Sequence, residues 1–139
     1  MSGFARFGRA VGVGLVWAVA WAPVAVAIGL GVIDPDNSMD EMWVAVGAYP
    51  GFLAGVVFAL LAGRRRLSEL TTGRAALLGA LSGLPVGLIP FAIGDATTAV
   101  PLWQLAGGFA GSVMALAALS AVASVVVARA RERRRLQRA

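Results

Sequence analysis

The sequence predicts an all-α integral membrane protein in which four transmembrane helices pack as a compact bundle, and three observations support this fold class. Hydrophobic residues make up 59% of the 139 residues, and the mean hydropathy is +0.82. Four long segments carry no charged residue, and basic and acidic residues occupy alternate gaps between those segments. Because so short a chain cannot bury this much apolar surface in a soluble fold, we expect a membrane to be its solvent.

The four predicted spans are the segments without Asp, Glu, Lys or Arg, namely 10–33, 43–63, 75–94 and 102–128. Each reaches the roughly 20 residues that cross a hydrocarbon core about 30 Å thick. Backbone groups find no water partner in lipid, so each span is predicted to be helical. We therefore predict one four-span domain over 1–139, with a basic tail at 129–139 and a fourth span long enough to tilt or to extend beyond the membrane.

The charged residues predict the orientation. All twelve basic residues are arginines before the first span, between the second and third, or after the fourth, while Asp34, Asp36, Asp40, Glu41 and Asp95 lie on the other side. The positive-inside rule then places both termini in the cytoplasm of a bacterial-type cytoplasmic membrane. The same rule of charge predicts contacts with anionic lipid headgroups for Arg64, Arg65, Arg66, Arg133, Arg134 and Arg135.

Matching residues predict that the chain is a duplicated in–out–in hairpin. WVAVGAYPG (43–51) and WQLAGGFAG (103–111) share a Trp and two Gly at an offset of 60, and GRA occurs at 8–10 and again at 73–75. Such repeats are common in membrane transporters, although a chain rich in Gly and Ala also produces chance matches. The repeat argues against reading the N-terminus as a signal peptide cleaved after Ala27, because cleavage would remove one helix of the first copy.

Small residues recur at every fourth position in each span, which places them along one side of each helix. Such stripes let helix backbones approach closely in a membrane. We predict helix packing within the bundle through these residues, and the alternative is that some stripes contact another subunit. The predicted packing residues are Gly14, Ala18, Gly47, Gly51, Gly55, Gly79, Gly83, Gly87, Gly107 and Gly111.

Tryptophans suggest two further roles. Trp43 and Trp103 begin their spans and are predicted to anchor the outer membrane interface. Trp17 and Trp21 share one helix face, and counting from Arg9 places Trp21 roughly 18 Å deep. Packing inside the bundle or against lipid is one interpretation of this pair. The other is a face that docks a partner protein or a flat hydrophobic ligand.

The acidic segment DPDNSMDE (34–41) resembles a calcium loop only superficially. Asp34, Asp36, Ser38 and Asp40 alternate as calcium ligands do, but the pattern requires Gly at the position of Met39 and a carboxylate at that of Ala45. We interpret the segment as a hydrated turn between helices and predict no metal site. No carboxylate or base lies deep within a span, where such groups usually mark ion pathways.

The composition leaves little catalytic chemistry. The chain has no Cys and no His, so thiolate or imidazole ligation and histidine acid–base catalysis are excluded. We therefore predict that the protein is not an enzyme and binds neither a cofactor nor nucleic acid. The leading hypothesis is a non-catalytic accessory or scaffold subunit that packs against a larger membrane complex. The alternative is a small homo-oligomeric transporter or channel for a neutral or hydrophobic solute, favoured by the repeat and by proline kinks.

Overall fold

The chain folds into helices throughout the part that the computed structural model describes, residues 3–33, 40–63, 66–93 and 102–138. These residues contain no strand and form α1 (Gly3–Ile28), α2 (Asp40–Ala62), α3 (Thr72–Ile93) and α4 (Leu102–Arg138). A π-helical turn, Gly29–Ile33, follows α1, and a 3-10 turn, Leu67–Glu69, precedes α3. All four of these α-helices are long and apolar enough to cross a membrane.

The helix bounds follow the predicted spans except at the two ends of the chain. Helix α1 begins at Gly3 rather than near residue 10, and α4 continues to Arg138 rather than ending at 128. The sequence contains neither Gly nor Pro after Gly111, and Ala, Arg, Glu and Leu are strong helix formers. Helix α4 is therefore 37 residues long, which corresponds to about 55 Å, and its last third is the basic segment.

Two local signals separate α2 from α3. Gly63 has a φ of +66°, the left-handed conformation that commonly ends a helix and that Gly adopts without a Cβ penalty. The Thr71 hydroxyl accepts a hydrogen bond from the Arg74 N–H at 3.3 Å, as expected for the residue that caps a helix N-terminus. These signals fix where the connection leaves one helix and enters the next.

The chain forms two compact units, Met1–Leu60 and Leu61–Ala139. The first contains α1 and nearly all of α2, and we call this helix pair the first hairpin. The second contains α3 and α4, the second hairpin. In both pairs, residues later in one helix contact residues earlier in the other. The two helices of each hairpin are therefore antiparallel.

Candidate functional site

Glycines of α2 form the seam of the first hairpin. A Cβ built on Gly47 would lie 2.5 Å from the Trp21 carbonyl oxygen, and one on Gly51 would lie 2.9 Å from the Trp17 carbonyl oxygen. A Cβ on Gly55 would lie 2.9 Å from the Cα of Gly14. Real Cβ atoms do not approach backbone this closely, so these glycines let the two helix backbones come into direct contact.

Beside these backbone contacts, aromatic rings fill the remaining space between α1 and α2. Trp17 stacks on Trp21 at a centroid distance of 6.1 Å and on Phe58 of α2 at 5.2 Å. Trp17 is 2% exposed, Trp21 4% and Phe58 fully buried. Trp17 and Trp21 are therefore core residues of the first hairpin here, and a partner or flat ligand would reach their faces only if the hairpin opened.

The buried side of α1 does not follow the predicted spacing of four. Ala10, Gly14, Trp17 and Trp21 are buried, whereas Ala18 is half-buried. A helix has 3.6 residues per turn, so a strict spacing of four drifts by about 40° at each step. The contact side must therefore step by three after Gly14, and this step turns Trp17 rather than Ala18 toward α2.

In the second hairpin the glycines lie on α3 and face small residues of α4. A Cβ on Gly79 would lie 2.5 Å from the Ala117 carbonyl oxygen, and one on Gly83 would lie 2.8 Å from the Val113 carbonyl oxygen. A Cβ on Gly87 would lie 2.6 Å from the Cα of Ala110. This seam contains no stacked ring pair like that around Trp17 among the described residues, although Phe91 and Phe109 meet edge to face at 5.9 Å.

Ser82 is the polar side chain buried in this seam. Its hydroxyl donates to the Gly79 carbonyl of its own helix at 2.7 Å. Ser112 and Ser124 of α4 likewise donate to the carbonyls of Gly108 and Ser120. These bonds return serine donors to the carbonyls of their own helices.

Two predicted packing glycines, Gly107 and Gly111, do not lie in the seam of their hairpin. Both are exposed, and a Cβ built on either would meet no atom of the described residues within 4 Å. Helix α4 instead turns Ala110, Val113, Ala117 and Ala121 inward. Those residues have the helical spacing of three and four, which places Gly111 outside the contact side.

An arginine in the last third of α4 forms hydrogen bonds to the turn before α3. The Arg129 guanidinium donates to the Ser68 carbonyl at 3.1 Å and to the Leu70 carbonyl at 2.6 Å. Leu70 is buried beside it, and Arg66 lies 3.8 Å from the Glu132 carboxylate. We call Ser68, Leu70, Arg129 and the Arg66–Glu132 pair the arginine clamp. The bonds from Arg129 are charge-assisted, while the exposed ion pair adds little.

Trp43 is partly buried within the protein, whereas the sequence predicts that it anchors the membrane interface. Its indole is half-buried, and a Cβ at Gly29 in the π-helical turn would overlap the ring. The Trp43 Nε1 atom is buried and has no hydrogen-bond acceptor within the described part of the chain. An anchoring Trp directs this N–H toward polar headgroups, so the observed packing differs from a simple anchor. The side chain of Trp103 lies outside the described residues.

The acidic segment falls largely outside the described part of the chain. Residues 34–39 and the side chains of Asp40 and Glu41 lie outside it, as do Arg64 and Arg65. Within the described residues, no group of three or more His, Cys, Asp or Glu side chains is placed to hold a metal ion. The interpretation of residues 34–41 as a hydrated turn therefore stays a prediction.

Together the helices and their seams define a class of protein: an α-helical chain with four helices, among the residues described, that are able to cross a membrane. Comparison with known proteins finds no matching family model, no matching curated protein and no matching solved structure.

Proposed function

We propose that the protein is a non-catalytic integral membrane protein that serves as an accessory or scaffold subunit beside a larger membrane complex. The proposal includes insertion of all four helices, two in–out–in hairpins in one bundle and cytoplasmic termini. The observation that carries it is the uncovered apolar surface. In the most apolar stretch of each helix, the share of residues buried within the chain is 17% in α1, 33% in α2 and α3 and 28% in α4.

Lipid alone would also cover such surface, but one feature of the chain favours a helix of another protein. The open face of α4 around Gly107, Gly108 and Gly111 is that feature. The glycines in both hairpin seams meet a neighbouring backbone, whereas a Cβ on any of these three would meet no atom within 4 Å in the part of the chain that the structure describes. Helices associate in membranes where small residues permit close approach, and this fits the earlier alternative that some stripes contact another subunit.

The experiment that tests this function is purification from native membranes in mild detergent, followed by mass spectrometry of proteins that co-migrate in stoichiometric amounts. We expect a defined larger complex. In a second arm, Gly111→Leu should release the partner, because the added side chain fills the open face. Gly12→Leu is the matched control, since a Cβ on Gly12 of α1 would also meet no atom of the described residues within 4 Å. A lone chain in both arms would contradict the proposal.

The alternative is a homo-oligomeric transporter or channel for a neutral or hydrophobic solute. The π-helical turn Gly29–Ile33 favours it, because π-helical turns occur frequently at functional sites. The Trp43 indole packs against this turn with its N–H unsatisfied. Solute flux into liposomes that contain only this protein would support transport, and Trp43→Phe should change that flux. Absence of flux across neutral and hydrophobic solutes would leave the subunit proposal in front.

A further inference from the structure

The basic end of α4 is a continuous helix rather than a loose tail. Helix α4 runs without interruption from Leu102 to Arg138. Arg131, Arg133, Arg134, Arg135 and Arg138 are all exposed. Since the segment is helical, each arginine has a fixed direction around the axis, and the directions can be compared with that of the arginine clamp.

We call residues 129–138 of α4 the helical extension, and the arginine clamp contacts one side of it. Arg129 and Glu132 both point toward the turn before α3, because one bonds Ser68 and Leu70 and the other lies near Arg66. A residue advances about 100° around an α-helix. On that basis Arg133 lies within about 40° of Arg129, on the clamp side.

Four arginines lie on the opposite side. Arg131, Arg134, Arg135 and Arg138 have the spacing i, i+3, i+4 and i+7, and each is about 120–180° from Arg129. We call these four residues the arginine stripe. The single acid of positions 129–139 is Glu132, which lies about 60° from Arg135 and about 100–160° from the other three arginines of the stripe. Its carboxylate lies 3.8 Å from Arg66, so this negative charge is directed toward the clamp.

The direction and depth of the stripe determine what can meet it. Side chains of a helix lean toward its N-terminus, so these guanidinium groups lean back toward the apolar part of α4. Arg131, Arg134 and Arg135 lie about 3–9 Å beyond Arg129 along the axis, and Arg138 lies about 14 Å beyond it. The polar headgroup layer outside the hydrocarbon core is about 5–8 Å deep, so the first three match headgroups, and Arg138 reaches this layer only through its backward-leaning side chain.

We infer that the arginine stripe binds phosphate groups of anionic lipids at the membrane surface. Arginine forms paired hydrogen bonds with phosphate oxygens, and an anionic leaflet attracts basic segments next to a transmembrane helix. The inference rests on the membrane insertion in the proposed function and goes beyond it by assigning the residues. It replaces Arg133 of the predicted lipid-contacting set by Arg131 and Arg138, while Arg134 and Arg135 stay in the set.

The test uses full-length protein in liposomes of equal parts phosphatidylglycerol and phosphatidylcholine. After gentle detergent extraction, native mass spectrometry counts the lipids that each protein retains. The wild type should retain phosphatidylglycerol over phosphatidylcholine by about fivefold or more. The combined variant Arg131→Gln, Arg134→Gln, Arg135→Gln, Arg138→Gln should lose most of this preference. Of two variants that each remove one charge, Arg134→Gln should weaken the preference, whereas the matched control Arg133→Gln should keep it.

Each remaining outcome decides the inference. Equal loss in the Arg133→Gln control, or a full preference in the combined variant, would overturn the assignment of the stripe. A wild type without preference would overturn lipid binding. If the combined variant then lost a protein that co-purifies with the wild type from native membranes, the partner of the stripe would be an acidic protein surface. Co-flotation with liposomes is scored separately, so failure to insert overturns the proposed function as well. Unchanged far-UV circular dichroism verifies that the variants fold.

Discussion

The two hairpins bring helix backbones together with glycine but fill the seam differently. In the first hairpin most seam glycines are on the second helix, α2, where Gly47 and Gly51 face the Trp21 and Trp17 backbone, and one, Gly14, is on α1. In the second they are on the first helix, α3, and face Ala and Val of α4. The first seam is therefore filled by large aromatic rings, and the second by the small side chains of two closely apposed helices.

This difference bears on the predicted duplication. The offset of 60 pairs Gly47 and Gly51 with Gly107 and Gly111. In the structure the first pair is buried in a seam, while the second pair is exposed to open space. Matching letters thus do not have matching environments, and the duplicated hairpin stays a prediction from sequence. The structure teaches that a glycine pattern predicts close approach only when the partner helix is known.

The largest expected effect comes from emptying the aromatic seam. Trp17→Ala should lower the free energy of unfolding by about 3–5 kcal/mol, because it leaves a large cavity between α1 and α2. The comparison is Val125→Ala in α4, also fully buried, which should cost only about 1.5 kcal/mol. Unfolding by sodium dodecyl sulfate titration, followed by circular dichroism, measures both. Similar costs would show that the rings of the first seam contribute no more than the aliphatic core of the second.

The sequence predicts the helices well but decides only part of their packing. Charges mark where each apolar segment ends, so the predicted spans lie close to α2 and α3. The small-residue stripes of α2 and α3 lie on the observed contact sides. For Trp17 the sequence left two interpretations open, packing inside the bundle or against lipid and a docking face, since a helix with Ala and Gly on one side and Trp on the next permits two rotations. Only the partner helix selects between them.

The arginine clamp was missed for a related reason. Positive charge near the membrane surface predicts lipid contact for every arginine alike. Nothing in the spacing of Arg129 indicates that Ser68 and Leu70, about sixty residues earlier, present their carbonyls to it. A free carbonyl beside a 3-10 turn has no sequence signature, so only the three-dimensional arrangement distinguishes Arg129 from its neighbours.

The second largest expected effect on stability comes from the arginine clamp, which lies in the second unit. Arg129→Gln should lower the free energy of unfolding by about 2 kcal/mol, because hydrogen bonds to a charged donor stabilise more than neutral ones. Hydrogen exchange at the Glu69 and Leu70 amides, which close the 3-10 turn, should quicken. Arg131→Gln, on the opposite side of α4, serves as the control. Unchanged exchange in Arg129→Gln would mean that the turn holds without its arginine.

The seam glycines provide a more even comparison. Gly47→Ala and Gly79→Ala should each cost about 1–3 kcal/mol, since overpacking forces helices apart. In both, the new methyl would lie 2.5 Å from a backbone carbonyl oxygen, that of Trp21 or Ala117. Thermal unfolding in detergent micelles measures the two side by side. If only one substitution destabilises the protein, the two hairpins differ in how tightly their helices approach as well as in what fills them.

The smallest expected effect is at Gly107, which matches Gly47 in sequence but does not lie in a helix seam. Gly107→Ala, the counterpart of Gly47→Ala at an offset of 60, should cost nothing in the purified protein, because its methyl meets open space. Ala favours helix over Gly by up to about 1 kcal/mol, so a slight gain in the unfolding midpoint is expected. A loss comparable to that of Gly47→Ala would show that this face of α4 is covered even in the isolated protein. The repeat would then describe packing as well as letters.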